Sequence, residues 1–93
     1  SSETIYKLTA VSSSQDLFSK SEPVFCKSFF VLGDCVVEIE FEDGTTKSYE
    51  KIHARDFDGT SVYGHGIPPH RNVVRVSISD VFTDIGIRVI TDE

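Results

Sequence analysis

No apolar run in this sequence approaches the about 20 residues that a membrane-spanning helix requires, and the opening Ser-Ser-Glu-Thr-Ile-Tyr-Lys lacks the basic and then apolar layout of a secretion signal. The expectation is a cytoplasmic protein with no membrane partner. Basic residues are scarce as well: nine Lys and Arg stand against 15 Asp and Glu, a net charge of −6. Phosphate-backbone binding relies on Lys and Arg displacing counterions, so direct nucleic-acid binding is not expected. Motifs that carry chemistry are equally thin. Gly64-His65-Gly66 runs into Ile-Pro-Pro rather than a helix start, so it is no phosphate loop. There is no G-x-S-x-G nucleophile, and His53-Ala-Arg55-Asp56 shares letters with a kinase catalytic loop that a chain of 93 residues cannot house. No repeat or linker interrupts residues 1–93, which read as a single globular domain whose core is adequate but not generous.

What the sequence does have is alternation. Val37, Ile39 and Phe41 alternate with Glu38, Glu40 and Glu42, the period-two signature of a strand with one face buried and one wet. If Glu42-Asp43 form a type I turn and Gly44 supplies the left-handed residue of a bulge, Phe41 pairs with Thr45, Ile39 with Lys47 and Val37 with Tyr49. Tyr49 then joins the core face. A two-residue turn on Asp43-Gly44 would shift the register by one and send Tyr49 to the acidic face. Upstream, Phe25 to Leu32 reads as a strand, and Gly33-Asp34 as a second hairpin turn. Pairing Leu32 with Cys35 sets Phe30 opposite Val37, Ser28 opposite Ile39, Cys26 opposite Phe41 and Lys27 opposite Glu40. In that register Cys26 and Cys35 are far apart, so both are expected to be free, buried thiols.

The remaining segments follow the same logic. Glu3 to Val11 alternates loosely as a first strand. Ser12 to Lys20 fits a short helix, with Ser12 and Gln15 as a capping box, or else an irregular loop. After Asp58-Gly59 a short strand covers Thr60 to Tyr63, and the two glycines and two prolines between Gly64 and His70 predict a surface excursion. Asn72 to Ser79 resumes as a strand with Val74, Val76 and Ile78 on one face and Val73, Arg75 and Ser77 on the other. Ile85, Ile87 and Val89 mark the last. The sum is a mainly β domain: a small closed or partly open antiparallel barrel or roll of six to seven short strands, with at most one short helix near residues 12–20. Seven Phe and three Tyr help to fill it.

Charge is uneven along the chain. Asp34 to Glu50 holds six acids and one lysine, a balance of −5, whereas Lys51 to Ser79 carries +2. Such polarity steers encounters with partners. His65 and His70, with Tyr63 and Arg71 beside them, are the nearest approach to a chemical cluster. Two histidines do not make a zinc site, and a metal would need His53 or Asp58 to converge on them. No metal, cofactor or catalytic residue is expected. The leading function class is a non-enzymatic protein-protein interaction module, of the kind that serves as inhibitor, adaptor or assembly subunit, viral accessory proteins included. Its expected contact residues are Tyr63, His65, His70 and Arg71 of the Gly/Pro loop and Glu38, Glu40 and Glu42 of the acidic hairpin. Two alternatives stand beside it. One is an acidic mimic of nucleic acid, since residues i and i+2 on a strand face repeat at about 7 Å, close to phosphate spacing. The other is a small enzyme using His65 or His70 as general acid-base.

Overall fold

The structure, a computed structural model, describes residues 1–9, 13–52, 65–81 and 84–93, with the backbone alone at 32, 50–52 and 65. These residues form β1 (Ser2–Leu8), β2 (Gln15–Leu32), β3 (Cys35–Phe41), β4 (Thr46–Ile52), β5 (His65–Ile67), β6 (His70–Ser79) and β7 (Ile85–Thr91), with no helix among them. All pairings are antiparallel, in the order β1-β7-β2-β6-β3-β4, with β5 laid against β2. The mainly β reading holds. Among the described residues β1 and β4 do not meet, so the sheet is an open roll rather than a barrel.

The acidic hairpin forms in the bulged register. Val37 faces Tyr49 and Ile39 faces Lys47, the Phe41 N–H donates to the Thr45 carbonyl at 2.9 Å, and Gly44 turns the chain at φ +88°. Asp43 locks the turn: its carboxylate accepts from the Thr45 hydroxyl at 2.6 Å and the Thr45 N–H at 3.0 Å. These bonds favour the ionised carboxylate and hold Asp43 below its ordinary pKa.

The second expected hairpin does not form. β2 and β3 both lie against β6, one on each side, and Gly33-Asp34 carries the chain between them instead of folding it back. Apolar matching explains the choice. The expected hairpin set Ile39 against Ser28, whereas β6 sets Ile78 opposite Val37 and Val76 opposite Ile39. Gly33 adopts φ +118° and packs so closely on Ile85 that any side chain would collide with it.

Residues 15–20 are strand, not helix, while Ser12 lies outside the described residues. A capping box contributes about 1 kcal/mol. Against that, Gln15 to Ser19 completes a ladder with Ile78 to Arg75 and lets Leu17 and Phe18 pack on the core. β2 therefore runs 18 residues, well beyond the short strands expected. Its exposed Ser21, Glu22 and Pro23 fall where the ladder jumps from Ser19↔Arg75 to Val24↔Val73, a bulge that needs no N–H from proline.

β6 also departs from simple alternation. Glu40 pairs with Arg75 and Phe41 with Val73, so Val74 is an extra residue, and the phase flips there. Val73 is fully buried and Val74 only half, the reverse of the expected assignment. Asn72, at φ +61°, begins this irregular stretch in a conformation asparagine tolerates.

One apolar cluster results. It draws Phe29 and Val31 from β2, Val37 and Ile39 from β3, Val76 and Ile78 from β6, and Ile85, Ile87 and Val89 from β7. Cys26 and Cys35 sit in it, unbridged and 2% exposed. The expected outcome holds for a different reason. Cys26 pairs with His70, and Cys35 adjoins Val36, which pairs with Ser79. The thiols thus sit near opposite ends of the ten-residue β6, far beyond the about 7 Å Cα separation a disulfide tolerates.

Candidate docking face at the hairpin tip

The Gly/Pro segment is only partly the surface excursion expected. His65 to Ile67 pairs with Val31 to Phe29, and Ile67 enters the core at 6% exposure. Pro68 and Pro69 are exposed, in the gap between β5 and β6. The ladder breaks at the two residues that have no N–H to give it. Tyr63 and His53 lie outside the described residues, and of His65 only the backbone is described.

His70 opens β6 half-buried. Its Nε2 is 2.7 Å from the Tyr49 hydroxyl, and its ring meets Phe41 edge-on with centroids 5.6 Å apart. Burial first, and Lys47 second, lower its pKa below the ordinary imidazole value. Lys47 itself lies 5.5 Å over the Tyr49 ring. Tyr49, His70 and Phe41 thus weld the start of β6 to the β3-β4 hairpin, a contact made possible by the bulged turn that keeps Tyr49 on this side.

Arg71, next along, is exposed, its guanidinium 4.1 Å over the ring of Phe25. It shares a cleft of about 270 Å³ with Phe41, Glu42, Asp43 and Asn72. The Glu42 N–H donates to the Asn72 carbonyl at 2.9 Å, which fixes the hairpin tip beside Arg71. Two features that are separate in sequence, the end of the Gly/Pro segment and the tip of the acidic hairpin, are therefore one surface. It presents a cation stacked on an aromatic ring beside two exposed carboxylates.

Glu38 and Glu40 belong to a different arrangement. Both are half-buried and ion-paired to Arg75, at 3.5 and 2.7 Å, and Arg75 also reaches Asp16 at 3.3 Å. The Arg75 guanidinium is held above its ordinary pKa, first by its hydrogen bond to Glu40 and then by that to Asp16. The acidic row expected on this face is thus partly neutralised at its middle, and the expected opposition of Lys27 to Glu40 is replaced by Arg75. Sequence reading did not set Arg75 against the acidic row, nor Phe25 and Asn72 beside Arg71. The available signal was that a Glu-x-Glu strand face needs a cation from its neighbour, and Arg75 stands mid-strand in β6. Among the described residues no group of His, Cys, Asp and Glu is gathered as a metal site would require.

No protein-family model and no curated protein matches the chain. Among solved structures, a chain from Bacillus endospore appendages, which are described as forming a novel family of disulfide-linked pili, aligns over 95% of this chain and 84% of its own. The identity is 11% and the TM-score 0.49.

Proposed function

We propose that this chain is a non-enzymatic protein-binding module that docks through the face shared by Arg71 and the hairpin tip. The observation that carries the reading is the placement of Arg71 on Phe25 at 4.1 Å beside exposed Glu42 and Asp43. A guanidinium preorganised on an aromatic ring loses little side-chain freedom on binding, and arginine is among the residues enriched at interface hot spots. Opposite charges side by side orient a partner and reject mismatched ones. Tyr63 and His65 join this proposal as sequence candidates alone, Tyr63 lying outside the described residues and His65 being described in its backbone only.

Two observations weigh against the rival readings. His70, the described histidine an enzyme would use, is engaged by Tyr49 and packed on Phe41. Glu38 and Glu40, the middle of a phosphate-like row, are engaged by Arg75. The cytoplasm is the compartment proposed for the module.

The test is capture of partners from native lysate by the parent, by Arg71→Ala and by Glu42→Lys, with the fold of each checked by circular dichroism. A discrete protein retained by the parent and lost from both variants supports the reading. Equal retention by all three, or retention of a nucleic-acid-binding protein that the Arg71 variant keeps and salt releases, overturns it.

A further inference from the structure

β1 ends the sheet, pairing among the described residues with β7 alone. An end strand offers a row of N–H and C=O groups to another strand, and proteins commonly blunt such edges with proline, short length or inward-pointing charge. β1 is seven residues long and has no proline. Among the described residues Ile5 is the large hydrophobic left exposed, at 61%, and it stands at the middle of this strand. Beneath it lies an apolar hollow of about 420 Å³ lined by Ile5, Phe30, Gly86, Ile87 and Arg88. Gly86, opposite Lys7 on one side and Leu32 on the other, leaves the outer face open there.

The charges flanking Ile5 decide what fits. Tyr6 and Leu8 pack toward the core, so by strand alternation Glu3, Ile5 and Lys7 share the outer face. All three are exposed, and within the described residues neither Glu3 nor Lys7 has an ion-pair partner. Glu-Thr-Ile-Tyr-Lys is a charge palindrome centred on Ile5.

We propose that β1 pairs with β1 of a second copy of this chain, antiparallel about a two-fold axis at Ile5. In that register Glu3 faces Lys7 of the other copy, Lys7 faces its Glu3, and the two Ile5 side chains meet at the axis over the paired apolar hollows. The contact is isologous, so it closes at two copies. It joins the two sheets edge to edge and covers the exposed isoleucine. β4, the other end strand, does not offer this: its exposed stretch Thr46 to Ser48 carries Lys47 with no acid beside it. The β1 contact is separate from the face of Arg71, and each stands or falls without the other.

The test is sedimentation equilibrium across the micromolar range on four samples: the parent, Glu3→Lys, Lys7→Glu and the double exchange Glu3→Lys with Lys7→Glu. Directly opposed like charges weaken a strand pair. Each single variant sets two like pairs in register, so its dimer dissociation constant should rise about tenfold or more. The double exchange restores opposite pairs and should dimerise like the parent. Mixing the two single variants should give a heterodimer, because a β1 with lysine at both flanking positions then faces a β1 with glutamate at both. A monomeric parent, single variants that dimerise normally, or a double exchange that fails to recover overturns the proposal. So does growth beyond the dimer, which would signal a heterologous β1-to-β4 contact.

Discussion

Replacing Val73 and Val74 one at a time by alanine separates the observed β6 from the one that plain alternation describes. Alternation sets Val74 in the core with Val76 and Ile78, whereas the bulge sets Val73 there, at 0% exposure. Val73→Ala removes two buried carbons, a transfer loss of about 1.6 kcal/mol at about 0.8 per methylene. Val73 is flanked by Val24 on β2 and Phe41 on β3, so neighbouring backbones on both sides resist collapse into the space. With the residual cavity counted, the cost should reach about 2 to 3 kcal/mol. Val74, half-exposed, loses about half the transfer free energy and opens no closed cavity, so its change should stay near 0.5 to 1 kcal/mol, or about the size of an ordinary surface effect. Urea denaturation measures both, with an unchanged slope as the sign that the unfolded states are comparable. For a domain of this size the thermal midpoint of Val73→Ala should fall by about 10 °C or more. Equal costs, or a larger cost at Val74, would refute the bulge and with it the register of β6 against β3.

Three further outcomes are expected. Gly33→Ala should cost at least about 2 kcal/mol, since its Cβ would strike the Ile85 side chain from a backbone at φ +118°; a near-neutral denaturation midpoint would contradict that packing. Burial is the main cause that pushes both thiols from about 9 up to about 11, with Asp92 and Glu93 adding at Cys26 and Asp34 at Cys35. The folded chain then holds those protons longer than the unfolded one, so stability is full below about pH 9 and declines as pH rises toward 11; rapid labelling of both thiols without denaturant would count against it. His70 carries the opposite sign: its folded-state pKa lies below the ordinary value, so its contribution is full above about pH 6.5 and is lost below it, as pH falls through the lowered folded-state pKa. A proton titration of the imidazole by NMR that returned an ordinary or raised midpoint would show that the ring is not held neutral by its burial against Phe41 and Tyr49.

Local chemistry was legible and long-range pairing was not. The bulged turn at Glu42 to Gly44 follows from alternation on both sides of a glycine, and it placed Tyr49 correctly. β7 was equally plain, because Ile85, Ile87 and Val89 leave no other periodic reading. The strand status of residues 15–20 was hidden, since Gln15 to Ser19 carries no local strand signal and takes its conformation from β6, about 60 residues downstream in the ladder partners Ile78 to Arg75. The Gly33-Asp34 connection looked like a hairpin because turn residues report a change of direction and say nothing about which strand lies next door. At the candidate site, Arg71, His70 and Glu42 were singled out from sequence as members of two separate elements. Their union depends on the Glu42-to-Asn72 backbone bond and on Asn72 at φ +61°, neither of which a propensity reveals.

The position of β7 between β1 and β2 has a consequence for how the chain acquires its structure. β1 precedes β7 by some 80 residues and has no other strand to lie against among the described residues, and residues 26–32 of β2 depend on the same late segment. Few of these pairings are local, so the loop-closure entropy falls on the final step of sheet assembly, the pattern of slow folders. During synthesis the chain can complete β3 with β4, a local hairpin, long before β1 finds its place. Until residues 85–91 leave the ribosome, Phe29, Val31 and the exposed edge of β1 lack their main neighbour, and that interval is when the nascent chain is most open to mispairing.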